Sequence, residues 1–389
     1  MAAARAQAFA VSRHNARRVL AAFQAAGVGE YDFAPSVGYG YGDRGRESLD
    51  RVFAQALGCE AALVRAQIAS GTHAIALALW GVLSPGGELL VATGEPYDTM
   101  QSVLGLRPTP RSFLDWGIAT RVLPLEAGLS GPALRQALAP RTQAVLFQRS
   151  RGYARRPALT PDDLQEALDA CRAAGVVSVV DNCYGEFVDL REPAADLLVG
   201  SLTKNPGGGL APGGGYVAGR AELVAAVADR VTAPGLGADV GAFPGGKRDL
   251  FQGLYLAPQA VAEAVTVAEY AAGFGQALGL PVDPLPGARR GDIVQVIGFG
   301  AEAPLLRFGR ALQAHSPVES RALPEAQALP GYPDPVLMAG GTFIAGASLE
   351  LSLDAPLRAP WDGYLQGGIA AAYGLDAVGR AFVAAFPEA

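Results

Sequence analysis

Lysine is nearly absent from this chain. Of its 31 basic side chains only Lys204 and Lys247 are lysine, and the other 29 are arginine. The formal net charge is −6, so no basic patch of the kind that holds nucleic acid or an anionic membrane is expected. Cysteine is scarce and odd in number. Cys59, Cys171 and Cys183 are far apart with no CxxC pair, which argues against a disulfide framework and a structural zinc, and for a reducing compartment. Three histidines without an HExxH pattern leave no metal-spaced ligand set. No run approaches the ~20 apolar residues of a membrane span. No acid precedes Glu30, and that arginine-bearing start reads as an amphipathic first helix rather than a transit peptide. It also lacks the apolar core of a secretory signal, so a cytoplasmic protein is expected.

Apolar residues are plentiful. At 389 residues, 50% apolar and 17% charged, the chain has material for a buried sheet and for more than one domain. Short apolar runs at 61–66, 88–93, 144–149, 176–183, 195–204 and 214–220 read as strands, and helical stretches separate several of them. Ser70 is placed to cap a buried helix over 70–83. Thr160, Pro161 and Gly175 bracket another helix with Leu164, Leu168 and Cys171 on one face. This alternation predicts an α/β fold: a large domain with a mainly parallel sheet covered on both sides, and a smaller C-terminal α/β domain. The boundaries drawn are an N-terminal helix and arm over 1–45, a large domain over 46–282 and a small domain over 283–389. Sites in such sheets gather at the carboxyl ends of strands.

Three features fall at such ends. "SGTHA" (70–74) follows a strand and opens a helix, where free amides and the positive dipole end could hold a phosphate. Asp181 ends the "VVSVVD" strand, where a buried carboxylate needs a cationic or hydrogen-bonding partner. Lys204 follows the next strand in "SLTKNPGGGLAPGGG", and an amine can lose its proton and attack a carbonyl, which a guanidinium cannot. Taken singly, each has an ordinary reading: a helix cap, a carboxylate capping a loop, a surface lysine in a glycine turn. One ligand accounts for all three, an aromatic aldehyde with a phosphate at one end and a basic ring nitrogen at the other. That ligand is pyridoxal phosphate.

The order SGT, VVDN, SxTK resembles the fold-type-I pyridoxal-phosphate enzymes of cysteine and methionine metabolism. Within them, "GYGYGDRGRESLD", "QRSRGYARRP", "VDNCYGEFVD", "GSLTKNPGGGLAPGGGYVAGR" and "MAGGTFIAGASLELSLDAPLR" are similar to the methionine gamma-lyase-like family known as aluminium resistance proteins. The likeness runs from about residue 30 to the C-terminus. It implies the transferase-like fold of that class, with a seven-stranded sheet in the large domain. It also implies roles. Lys204 would bind the cofactor aldehyde, and Asp181 would face the ring nitrogen. Ser70, Gly71, Thr72, Ser201 and Thr203 would hold the phosphate. Tyr97, in "GEPYDTM", stands where the class places a stacked aromatic; its alternative is a loop tyrosine. Tyr41 and Arg44 resemble a pair that reaches the phosphate of a neighbouring subunit, with Arg46 as an alternative, so a homodimer or homotetramer is implied. Arg358 would clamp the substrate carboxylate.

The resemblance implies a carbon–sulfur lyase that eliminates a thiol from cystathionine, methionine or cysteine, leaving ammonia and a 2-oxo acid. Lys204 would act as base and Tyr97 as a proton relay. Transamination, γ-replacement, or a cofactor-binding stress or metal-resistance protein without lyase turnover are the alternatives. No dinucleotide fingerprint, P-loop or G-x-S-x-G elbow is present. His73 and the three cysteines read as caps, core or loop residues, Cys183 lying next to the site.

Overall fold

A computed structural model of the chain describes residues 2–387. Seven strands form the larger sheet: β1 (Ala61–Arg65), β2 (Glu88–Val91), β3 (Ala119–Val122), β4 (Thr142–Gln148), β5 (Val177–Asp181), β6 (Leu197–Ser201) and β7 (Gly215–Gly219). Their order is β1-β7-β6-β5-β4-β2-β3. Only β7 runs antiparallel to its neighbours; the pairings β2–β3, β2–β4, β4–β5 and β5–β6 are parallel. The mainly parallel sheet read from the sequence is therefore present.

Successive strand residues point to opposite faces, and both faces are packed. Val64, Val145, Val180 and Leu198 enter one core, and Leu63, Leu146, Val179 and Val199 enter the other. The second core is completed by Ala74, Ile75, Leu77 and Ala78 of the helix Gly71–Val82. Two residues beyond Val179 and Val199 come Asp181 and Ser201. The period-two rule thus sets both on the face covered by that helix.

Helix ends follow their chemistry. Ser70 Oγ accepts the His73 N–H at 3.1 Å, capping Gly71–Val82. Thr160 and Asp163 form a capping box for Pro161–Ala174, and Gly175 closes it with φ 66°. The Gly/Pro tract from residue 232 leads into the helix Arg248–Ala277, which packs along the first helix, Ala2–Ala26, with the Phe23 and Phe251 rings edge-on at 5.9 Å.

The second sheet is antiparallel and runs β10-β11-β12-β9-β8, from β8 (Val282–Asp283), β9 (Gln295–Gly298), β10 (Val336–Ala339), β11 (Ser352–Pro356) and β12 (Asp362–Gln366). Leu353, Ala355 and Leu365 pack with Phe308 and Leu312 of the helix Glu302–Ala314 and Phe382 of the helix Ala371–Ala385. Alternation turns Ser352, Asp354 and Gln366 the other way, toward the ends of β5 and β6.

Candidate functional site

A cavity of about 560 Å³ lies between the two sheets, within the size range of small-molecule sites. Its wall on the larger sheet is made where chain leaves the strands: Ser70, Gly71 and Thr72 at the helix start after β1, Asp181 and Tyr184 at and after β5, Ser201, Thr203 and Lys204 at and after β6. The structure therefore brings Lys204, Asp181, Tyr97, Ser70, Gly71, Thr72, Ser201 and Thr203 to one cavity.

The two lysines have different fates. Lys247 is buried, with its Nζ donating to the Ala34 carbonyl at 2.7 Å and Asp43 Oδ2 at 3.0 Å, so it is a structural tie. Lys204 faces the cavity with its Nζ 3.7 Å from the centre of the Tyr184 ring. Burial works against the Lys204 ammonium, yet Cys183, Tyr184, Asp181 and Tyr97 outweigh it and hold the amine's pKa above the usual lysine value. Burial pushes the thiol of Cys183 and the phenols of Tyr97 and Tyr184 up as well.

Asp181 is 6% exposed, and its Oδ1 accepts the Cys183 N–H at 3.1 Å. Burial raises its pKa against the opposing pull of Lys204. The Cys183 thiol bonds to the same carboxyl. Cys183 thus does more than adjoin the site, because its amide orients the carboxylate.

The third corner is a cradle. A Cβ on Gly71 would come 3.1 Å from Cys183 Sγ and 3.5 Å from Ser201 Cβ, so any larger residue fills it. The Gly71 and Thr72 amides at the start of the Gly71–Val82 helix have no intrahelical acceptor, while the His73 N–H is taken by Ser70 Oγ. Ser201 Oγ and Thr203 Oγ1 lie 2.9 Å apart. Tyr97 reaches over: its hydroxyl is 2.8 Å from Thr72 Oγ1, and its N–H donates to Gln148 Oε1 at 2.9 Å.

This donor set fits pyridoxal phosphate. An amine, a carboxylate facing the cavity and a glycine-lined cradle of amides and hydroxyls match an aldehyde, a ring N–H and a phosphate.

Other residues lie elsewhere. Arg358 is not in this cavity; it lines a separate cleft of about 170 Å³, with Nη1 on Asp334 at 3.0 Å and Nη2 on the Tyr153 carbonyl at 3.2 Å. It lies past the end of β11, where alternation no longer aims it at the cavity. Among the described residues the Lys204 cavity is lined by no arginine. Tyr41 is 66% exposed, and Arg44 pairs with Asp32 at 3.2 Å; neither reaches the chain's own cavity. Arg46 is buried and committed to the carbonyls of Gly40, Asp239 and Gly241. His73 Nδ1 accepts the Ala69 N–H at 3.0 Å, a local cap. No helix among the described residues is long and apolar enough to cross a membrane, and no metal-holding group of His, Cys, Asp or Glu is found among them.

Sequence reasoning passed over Tyr184, Gln148, Tyr153, Tyr332, Asp354 and Gln366, all on the cavity wall. Tyr184 sat inside the quoted "VDNCYGEFVD", but nothing in that string announces its left-handed backbone, φ 69°.

The family model described as methionine gamma-lyase matches residues 3–383. The YnbB protein of Bacillus subtilis (strain 168) is 42% identical over 368 residues, 92% of this chain and 87% of that one. A Listeria monocytogenes structure, named a candidate cystathionine beta-lyase involved in aluminum resistance, is 42% identical with TM-score 0.94, covering 98% of this chain and 96% of that one. A Clostridium novyi structure, a carbon-sulfur lyase involved in aluminum resistance, is 38% identical with TM-score 0.92, covering 97% and 91%. The chain belongs to the methionine gamma-lyase family, in its aluminium-resistance branch of fold-type-I pyridoxal-phosphate enzymes.

Proposed function

We propose that this chain is a pyridoxal-phosphate-dependent carbon–sulfur lyase that releases a thiol from a sulfur amino acid, with ammonia and a 2-oxo acid as the other products. The observation that carries the reading is the joint presence of Lys204, Asp181 and the Gly71 cradle around one cavity. When bound, pyridoxal phosphate supplies an aldehyde and a protonated ring that withdraws electrons from the substrate's α-carbon. Asp181, oriented by the Cys183 amide, would hold the proton on the ring nitrogen. Gly71, Thr72, Ser201 and Thr203 would hold the phosphate, helped by the positive end of the helix. Lys204 Nζ, in its neutral form, would take the proton from the α-carbon, and the Tyr184 face beside it holds the ammonium that results. Tyr97, held by Thr72 and Gln148, is the candidate to pass a proton to the leaving sulfur.

A second copy of the chain completes the site in this reading. Val37, Tyr39 and Tyr41 are 77%, 75% and 66% exposed, a large apolar surface to leave in water. The Lys204 cavity is lined by no arginine among the described residues, which supports the reading that Tyr41 and Arg44 serve a neighbour's phosphate. A cytoplasmic setting suits three free thiols.

The test is oxo-acid and ammonia formation by purified, cofactor-loaded protein with cystathionine, cysteine and methionine. Release of oxo acid only when a second oxo acid is added would replace lyase activity with transamination.

A further inference from the structure

Three carboxylates line the cavity, and the chemistry above leaves one of them without work. Asp181 faces the Lys204 end, and Asp98 pairs with Arg107 at 3.2 Å. Asp354 enters from the opposite wall, on β11, opposite Met338 of β10 and Tyr364 of β12. It has no cation within ion-pair distance among the described residues. Gln366 Nε2 donates to its Oδ2 at 3.0 Å, and the Tyr153 hydroxyl bonds to it too.

Its electrostatics are unfinished. Burial pushes the Asp354 carboxyl up, and Lys204 is the cation that opposes this, alongside the two hydrogen bonds. Lys204 makes no ion pair with Asp354, and its amine is the group that would bind the cofactor aldehyde. A carboxylate set in a cavity wall with two neutral donors and no counter-charge is costly unless a ligand brings the charge. An ammonium beside it would hold it ionised. The surroundings suit such a group. The Tyr153 and Tyr332 rings lie 5.5 Å apart, Tyr184 adds a third face, and Met338 supplies apolar contact for an alkyl arm.

We infer that Asp354, braced by Gln366 and Tyr153, is a subsite for an ammonium on the sulfur-bearing limb of the substrate. The inference rests on the lyase reading and deepens it. The enzyme then selects thioether or disulfide amino acids whose sulfur carries an aminoalkyl arm, over those with a bare alkyl group or a free thiol. Asp354 contacts the departing limb and not the carbon that loses its proton, so its effect falls on recognition.

A matched pair of substrates tests this on the holoenzyme. S-(2-aminoethyl)-cysteine and S-propyl-cysteine have the same length and differ in an ammonium for a methyl. The wild type is expected to prefer the ammonium substrate by about tenfold or more in kcat/KM, the scale of one well-placed charge-assisted contact. Asp354→Asn, neutral and of the same shape, should raise KM for that substrate and bring the preference within about threefold of unity, a change of about 0.65 kcal/mol or less from parity. A purely structural brace would lower turnover of both substrates alike and leave their ratio intact. Binding to Lys204→Ala protein, measured by calorimetry, gives a readout independent of turnover. The ammonium ligand should bind more tightly, and the added Asp354→Asn change should remove the difference. Equal binding of the two ligands, or a preference that survives Asp354→Asn, overturns the subsite. If neither compound yields oxo acid with wild-type protein, the lyase reading fails, while the calorimetric difference still decides the role of Asp354.

Discussion

The Lys204 amine stands 3.7 Å from the centre of the Tyr184 ring, and Tyr184 holds it there from a left-handed backbone, φ 69°. A bulky residue in that region is strained by roughly 1–3 kcal/mol, a cost met at sites where geometry matters. Ser348 Oγ donates to the Tyr184 hydroxyl at 3.3 Å, so the small-sheet side also fixes the ring. Tyr184→Phe keeps the π-face and should retain kcat within a few-fold. Tyr184→Leu removes it and should cost about tenfold, the scale of a partly desolvated cation–π contact. Equal rates for the two variants would show that the face does nothing for the amine.

Replacing Lys204 with alanine should reduce lyase turnover by roughly 10³-fold or more, the range for a lost catalytic base and nucleophile. Lys204→Arg should not rescue it, because a guanidinium keeps its protons. Oxo-acid formation and the visible absorbance of the loaded protein check both variants. Restoration by arginine would reduce the position to one of charge alone.

Glu186 makes stability depend on pH. It is fully buried; its Oε1 accepts the Tyr216 hydroxyl at 2.8 Å, its carbonyl accepts Asn205 Nδ2 at 2.9 Å, and its Oε2 is unpartnered. Burial raises its pKa from 4.5 to about 8, so the folded chain holds a proton that the unfolded chain releases. The resulting stability is complete below the unfolded pKa and is lost as pH rises through the folded one, at roughly 1.4 kcal/mol per pH unit between them. Glu186→Gln mimics the protonated group. Its melting temperature relative to wild type should rise steadily from pH 5 to about 8. A difference that does not change with pH would place no proton on Glu186.

Gly45 lies near the start of the helix Arg44–Leu57, where a Cβ would overlap the Asp32 carbonyl and the Lys247 side chain. The carbonyl cannot rotate away, so Gly45→Ala should destabilise the chain by ~1–3 kcal/mol, as overpacking does. Chemical denaturation measures it; an unchanged midpoint would mean that the arm before this helix yields freely.

The large sheet was legible because its strands are short apolar runs separated by capped helices, and the site residues on it sit at strand ends and a helix start. Lys204, Asp181 and Gly71 could therefore be placed from local sequence. The opposite wall could not. Asp354 and Gln366 come from 150 and more residues beyond Lys204, and strand pairing in the antiparallel sheet, which no local pattern specifies, aims them at the cavity. Arg358 shows the same limit. Four residues after Asp354 it would share that residue's face if the strand continued, but β11 stops at Pro356 and the guanidinium pairs with Asp334. Tyr184 was hidden for a different reason, since a left-handed tyrosine is imposed by its surroundings and leaves no compositional trace.

Arg46 spends its guanidinium on the carbonyls of Gly40, Asp239 and Gly241, riveting two distant stretches together beneath the aromatic loop at 37–41. Such a platform is already rigid before it meets anything, so little freedom is surrendered when another molecule lands on it. Loosening the rivet would add to the freedom lost on landing and so weaken any association there.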